Sequence, residues 1–341
     1  TILFGVVFDM AINNGVNPKN GKASPVKTGY LLEMKSLDEV KKAVEDMARW
    51  VMRWNATCSN YTEYLMMRRT SLAALSLGIE GCMESGKDCT QGGAKYNSYG
   101  GTATGLATIA DSLTTIKYMV FDKKLCTAQE LYNAVMANWE GYEDLRQTIL
   151  AEVPHYGNDD PYADVEMQWI TDLYYRLCGE LYSVRSKKFK SGLYGASDHV
   201  AQGKDTWATP DGRRAGDPMA DATSPAQGRD LNGPTAVFNS TCCFDHSRYM
   251  DGLALNMRIH PSSVSTDEGL GKLKEMTKTY FANGGMEVQY NIVSAETMRA
   301  AQADPQTYRD LVVRIAGFSA YFVEMTPDLQ NDIISRTENA F

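Results

Sequence analysis

The sequence predicts an α/β fold, and three observations carry the prediction. Two apolar runs alternate with period two, Leu253/Leu255/Met257/Ile259 and Met286/Val288/Tyr290/Ile292, as strands do. Between them Leu270, Leu273, Met276 and Tyr280 fall on one face of a helix that stops at Asn283-Gly284-Gly285. A strand–helix–strand order of this kind favours α/β architecture. Upstream, capped amphipathic helices recur without any internal repeat or low-complexity linker.

In chain order, residues 1–13 read as the end of a buried helix, stopped by Asn13-Asn14-Gly15. Ser36 and Glu39 form a capping box ahead of an apolar stripe, Val40, Val44, Met47, Val51 and Trp54, expected to pack in a core. Residues 81–105 are rich in glycine and small polar residues. Neither the P-loop nor the dinucleotide spacing fits them, so the segment reads as a connection able to line a pocket. Thr127 and Glu130 cap a further helix. The acidic loop His155 to Asp164 lacks the glycine and ligand spacing of a calcium loop, and reads as turns with Asx caps. Pro210-Asp211-Gly212 is turn chemistry. Near the C-terminus Asp304-Pro305 reads as an N-cap with proline at the first helical position. Tyr308, Leu311, Val312 and Ile315 follow at helical spacing, with Gly317 as the glycine that ends the helix.

The 341 residues suffice for two or three domain-sized units, and 43% hydrophobic with 22% charged residues is the composition of a soluble globular chain. A formal net charge of −8 argues against a nucleic-acid partner held through phosphates. No apolar run approaches membrane-spanning length, so no membrane association is expected. The seven cysteines are odd in number and lack a CxxC, so a reducing, cytoplasmic setting is expected. The four histidines have no metal-ligand spacing, and no metal site is expected.

The stretch Arg314-Ile315-Ala316-Gly317-Phe318-Ser319-Ala320-Tyr321-Phe322 closely resembles the radical-site motif of the glycyl radical enzymes, and Gln330 to Glu338 continues the likeness. In that family the motif glycine is oxidised to a stable carbon radical. The chemistry explains the residue: a glycine α-carbon radical delocalises between the amide nitrogen and the carbonyl, it must flatten to do so, and a side chain would hinder it. Gly317 is thus expected to be both loop glycine and radical carrier, with Arg314, Phe318 and Ser319 supporting the loop. Further stretches resemble the family in family order: Gly86-Lys87-Asp88, Gly92 to Asn97, Ala110 to Leu113, Tyr156 to Asp159, Ala208 to Pro218, Asp221 to Pro225 and Gln289-Tyr290-Asn291. Nearest is the pyruvate formate-lyase-like branch with hydroxyproline, glycerol and choline lyases.

The resemblance implies a second reactive residue, a cysteine on a loop inside a barrel, between which and the glycine a hydrogen atom is relayed. Gly81-Cys82-Met83-Glu84 matches the family's Gly-Cys-x-Glu loop in letters but not in order. It follows Asn13-Asn14-Gly15 and directly precedes Gly86-Lys87-Asp88, whereas the family's loop comes before both. Cys82 is therefore expected to be structural, and the catalytic cysteine and glutamate to lie upstream of Thr1. The adjacent pair Cys242-Cys243, similar to that of pyruvate formate-lyase, falls after the Pro-Asp-Gly segment and reads as coincidence. The implied fold is the C-terminal half of a ten-stranded α/β barrel over residues 1–215, followed by a glycine radical domain over 216–341. Such a portion alone is not expected to turn over substrate.

The resemblance further implies a homodimer, a small-molecule substrate and a partner activating enzyme that carries the S-adenosylmethionine and iron–sulfur cluster, with no metal in this chain. Asn97, Thr102, Ser197 and His199 are the candidates for a substrate pocket, each equally readable as a satisfied structural polar group. No acid stands in the Thr102 loop to hold a phenol, which disfavours a hydroxyphenylacetate decarboxylase. The expected activity is radical C–O, C–N or C–S cleavage of a small polar substrate, as by a dehydratase or lyase. Alternatives are a decarboxylase, a formate acetyltransferase, a non-catalytic radical-bearing module, or an ordinary α/β metabolite-binding protein.

Overall fold

A computed structural model describes residues 1–341. The chain opens with a two-residue strand, β1 (Ile2–Leu3), that turns directly into the buried helix Phe4–Ala11. Asn13-Asn14-Gly15 ends this helix as expected. The Gly15 N–H donates to Met10 O at 2.8 Å, and a Cβ at Gly15 would stand 2.0 Å from Val26 O. Only glycine fits there.

Helix Leu37–Arg69 starts at Ser36, whose hydroxyl accepts from the Glu39 N–H at 3.3 Å. Glu39 reaches back to the Lys35 N–H rather than to Ser36, so the expected box is closed one residue earlier. Val40, Val44 and Met47 are buried, but Trp54 is 65% exposed. Val51 packs against the same core, so the stripe holds at four of its five positions and fails at Trp54.

β2 (Gly100–Thr104) lies between β1 and β3 (Lys190–Gly192), all parallel, in register Ile2↔Ala103 and Thr102↔Gly192. Parallel neighbours require long crossovers, and helices supply them. Helix Leu106–Thr115, buried at every position, and helix Pro161–Gly179 carry the chain from β2 to β3. Thr127 caps helix Ala128–Met136 in a complete capping box. Asp160 caps Pro161–Gly179, so the acidic loop ends in an Asx cap.

A single parallel bridge, Leu193↔Leu253, continues the pairing from β3 to a second parallel group. There β4 (Asn256–Ile259) runs between β5 (Gln289–Asn291) and β8 (Glu338–Asn339), in register Asn256↔Gln289 and Arg258↔Glu338. Helix Asp267–Ala282 forms the crossover from β4 to β5, as the sequence predicts. The expected half-buried alternation does not hold in β4, where Asn256 and Arg258 are buried together with Met257 and Ile259. Parallel strands are covered on both faces, so polar residues in them must find partners inside. Around β5 the buried positions are the polar Gln289 and Asn291, while Val288 and Tyr290 are partly buried and the flanking Met286 and Ile292 are 46% and 43% exposed.

No helix spans 304–315. The Asp304 carboxylate accepts from the Thr307 N–H and hydroxyl, closing a local turn rather than capping a helix. The chain then forms an antiparallel hairpin, β6 (Val312–Arg314) with β7 (Ser319–Tyr321). Helix Pro327–Ser335 follows. A core of 46 buried apolar residues joins β1–β3 and their helices and reaches as far as Leu253. A separate core of seven, Met298, Ala301, Val313, Ile315, Ala316, Phe322 and Ile333, holds the hairpin. No helix is long and apolar enough to cross a membrane.

Candidate functional site

Gly317 stands in the turn that joins β6 to β7. The turn is closed by the Ile315 N–H donating to Phe318 O at 2.9 Å. Ile315 and Ala316 turn inward and are 2% and 6% exposed, whereas Gly317, Phe318 and Ser319 face outward. Gly317 has φ +86°, in the left-handed region, and a Cβ built on it meets no atom within 4 Å. Glycine is required here by conformation, not by crowding. The turn glycine therefore belongs to a hairpin, which corrects the expected helix cap.

The buried polar residues of β5 grip this hairpin. Gln289 Oε1 accepts from the Gly317 N–H and from Arg314 Nε, both at 2.8 Å. Asn291 pairs with the backbone of Arg314 on both sides: its Oδ1 accepts from Arg314 N at 2.6 Å and its Nδ2 donates to Arg314 O at 2.5 Å. An asparagine side chain here does the work of a neighbouring strand. Arg314 Nη1 also approaches Ser319 Oγ at 3.4 Å, so Arg314 spans the base of the turn. Phe318 is 45% exposed and contributes its carbonyl to the turn.

A second set of bonds ties the hairpin to the C-terminal helix and to helix Asp198–Asp205. Arg336 Nη1 donates to Ile315 O at 3.2 Å, and its Nη2 lies 3.4 Å from Asp221 Oδ2 and 3.2 Å from Asp332 Oδ2. His199 completes the cluster, with Nε2 at 2.8 Å from Asp332 Oδ2 and Nδ1 at 3.4 Å from Asp221 Oδ1. Gln227 donates to Asp332 at 2.7 Å and Asn256 to Asp221 at 2.6 Å. Burial alone would push the His199 pKa down, but Asp221 and then Asp332 outweigh it and hold the pKa above its usual value. Burial works against the Asp332 carboxylate too, yet His199 and Arg336 bring its pKa to about 2. Two carboxylates, an imidazole and a guanidinium thus form one buried cluster. A polar cavity of about 20 Å³, room for one water, adjoins it between Asp221, Asn256, Arg336 and Asn339.

The four pocket candidates are placed in two regions. Thr102 lies midway along β2, opposite Gly192 at the end of β3, and Ser197 and His199 lie beyond that end of β3. Thr102 Oγ1 bridges the strands by donating to Tyr194 O and accepting from the Tyr194 N–H. Ser197 precedes helix Asp198–Asp205 without a side-chain cap bond. His199 is fully buried in the cluster just described. Asn97 lies before β2, at its opposite end, and its amide donates to Gly92 O and Ala94 O within its own loop. Cys82 is buried at the start of a one-turn helix, Cys82–Ser85, and Glu84 accepts from the Gly81 N–H. Neither bonds to the hairpin. No group of three or more His, Cys, Asp or Glu side chains is gathered as for a metal ion.

Gln289, Asn291, Asp221, Asp332 and Arg336 are the residues that sequence reasoning left without a role. Gln289 and Asn291 had two available signals: their place in a stretch that resembles the family, and their polar alternation with the apolar run Met286 to Ile292, of which the polar phase proved the buried one.

Residues 3–203 match the family described as pyruvate formate lyase-like, and residues 219–323 match the glycine radical family. The chain is 38% identical to (2S)-3-sulfopropanediol dehydratase of Klebsiella oxytoca over 98% of its own length and 41% of that protein. Its structure is similar to that of hydroxyproline dehydratase from Clostridioides difficile, solved with trans-4-hydroxy-L-proline bound. The TM-score is 0.96 at 34% identity, covering 100% of this chain and 43% of that one. It is equally similar to the glycerol-bound B12-independent glycerol dehydratase from Clostridium butyricum, with a TM-score of 0.95 at 35% identity over 99% and 43%. The chain therefore spans about two-fifths of the length of these relatives.

Proposed function

The chain belongs to the pyruvate formate lyase-like glycyl radical enzymes, and on that premise we propose that it is the radical-bearing portion of a dehydratase or lyase, with Gly317 as the radical carrier. The observation that carries the reading is the hairpin turn at Gly317. It has a conformation only glycine holds easily, an open direction at its α-carbon, and an amide held by a buried glutamine. The residues fit the group: the radical supplies hydrogen-atom abstraction, and the chain's own residues hold and orient its carrier. In this reading Arg314, Ser319 and Phe318 support the turn.

The parallel strands β1–β5 and β8 form part of a ten-stranded barrel in this reading. The reactive thiol comes from a cysteine other than Cys82, which makes no bond to the hairpin. Substrates are small and polar, in keeping with relatives named for sulfopropanediol, hydroxyproline and glycerol. Ser197, beyond the C-terminal end of β3, is the better pocket candidate, because α/β proteins bind ligands at that end, whereas the Thr102 hydroxyl is already bonded to both the carbonyl and the N–H of Tyr194. Asn97 stands at the other end, and the buried His199 imidazole is bonded through Nε2 to Asp332, with Nδ1 facing the Asp221 carboxylate at 3.4 Å. The partner is a radical S-adenosylmethionine activating enzyme.

Anaerobic activation of the natively expressed protein tests the reading. A doublet electron paramagnetic resonance signal is expected, absent after Gly317→Ala. Oxygen exposure is expected to cut the activated chain at Gly317 and release the tail from Phe318 onward. A radical that survives Gly317→Ala, or an intact C-terminus in an oxygen-treated active sample, overturns the assignment.

A further inference from the structure

We propose that Gln289 is a positioning residue for the radical carrier: its side-chain oxygen fixes the Gly317 amide and couples it to the Arg314 guanidinium. The inference rests on Gly317 being the carrier. Gln289 is 8% exposed, and its Oε1 uses one lone pair for the Gly317 N–H and the other for Arg314 Nε, both at 2.8 Å. Both contacts come from N–H donors. The amide orientation is therefore fixed, since a flipped amide would set its NH₂ against two N–H donors.

The position is chemically pointed. The amide nitrogen of Gly317 is the electron-donating half of the delocalisation that stabilises an α-carbon radical. An acceptor on its N–H polarises the amide and raises that donor strength, while restraining the peptide plane. No other protein group accepts from this N–H, which would otherwise stand on an exposed turn. Arg314 fixes Gln289 from its second lone pair. The contribution of Arg314 to the carrier thus runs through Gln289, in addition to its backbone pairing with Asn291.

The test uses the natively expressed protein as wild type, Gln289→Leu, Gln289→Met, Gln289→Glu, Arg314→Ala and the double variant Gln289→Leu/Arg314→Ala. Leu and Met remove the acceptor, and Met serves should Leu not fold; Glu keeps an acceptor oxygen facing Arg314. Without activation, hydrogen exchange at the Gly317 amide is expected to quicken about five- to tenfold in the Leu and Met variants, as for one lost hydrogen bond, and to stay near wild type in Glu. After activation, the α-proton splitting of the radical signal is expected to change in Leu and Met and to return in Glu. Adding Arg314→Ala to Gln289→Leu is expected to change the splitting no further. A role confined to packing would leave the splitting of whatever radical forms unaltered. Equal Gly317 exchange in wild type and in the Leu and Met variants overturns the proposal, as does an unchanged splitting. A wild type that shows the exchange difference but forms no radical overturns the carrier reading, and the proposal with it.

Discussion

Gly317 has a positive φ but open space where a side chain would begin. Gly317→Ala is therefore expected to fold, at a conformational cost of ~1 kcal/mol, visible as a small fall in the thermal midpoint while the radical is lost entirely. Collapse of the fold in this variant would show that the turn is crowded after all. His199 makes the opposite case, since its side chain has no freedom. Its raised pKa contributes stability that is fully present below the ordinary histidine pKa and is lost as pH rises through the folded value. The lowered pKa of Asp332 contributes stability present above the ordinary carboxylate pKa and lost as pH falls toward about 2. The cluster is at full strength between roughly pH 4 and pH 6.5. His199→Gln is expected to cost ~3 kcal/mol near pH 5.5, because it leaves two buried carboxylates facing one arginine, and less at pH 8.5. Urea unfolding at the two pH values checks this, and an equal loss at both would count against a charged His199.

At the scale of elements, β5 matters more than its three residues imply. It presents Gln289 and Asn291 inward because the hairpin offers exposed backbone groups that only polar side chains satisfy. Asn291→Ala removes two bonds to the Arg314 backbone and is expected to cost ~2 kcal/mol, with hydrogen exchange quickened over Val312 to Tyr321. Thr127→Ala is expected to cost ~1 kcal/mol by removing the cap of helix Ala128–Met136, and to leave the hairpin's exchange unaltered. If both variants quicken the hairpin alike, β5 is not its specific support. The predicted helix over 304–315 failed for a local reason: Asp304 finds its donors in the Thr307 N–H and hydroxyl, and the chain from Val312 gains more by pairing with β7 and Asn291 than by coiling. Asp-Pro with apolar residues at helical spacing is legible, but a competing hairpin partner seven residues on is not.

At the scale of the molecule, of three apolar cores the largest and the seven-residue core of the hairpin are joined by a polar cluster; the third gathers five residues, Tyr280 of helix Asp267–Ala282 among them. The hairpin rests on seven buried apolar residues, against 46 in the main core, so it is expected to open at lower free energy than β1–β3. His199 from the main body, Asp332 and Arg336 from the C-terminal helix region, and Asp221 between them form the tie. Native-state hydrogen exchange of wild type and His199→Gln is expected to show Pro327–Ser335 and the hairpin loosened together, with helix Leu106–Thr115 unaltered. Uniform loosening would mean that the two cores unfold as one.

The sequence by itself determined the α/β class, the capped helices that begin after Ser36 and Thr127, the strand–helix–strand order of 253–292, and Gly317 as the residue of interest. These rest on period, capping chemistry and a long specific string, all local. Tertiary structure alone decided which face of β5 is buried, that Gly317 turns a hairpin, and that His199 is locked between two acids rather than offered to a pocket. Each of those outcomes depends on a partner from a distant part of the chain: Gln289 with Gly317, Asn291 with Arg314, His199 with Asp332. A polar residue's pattern shows that it needs a partner, and only the fold supplies one.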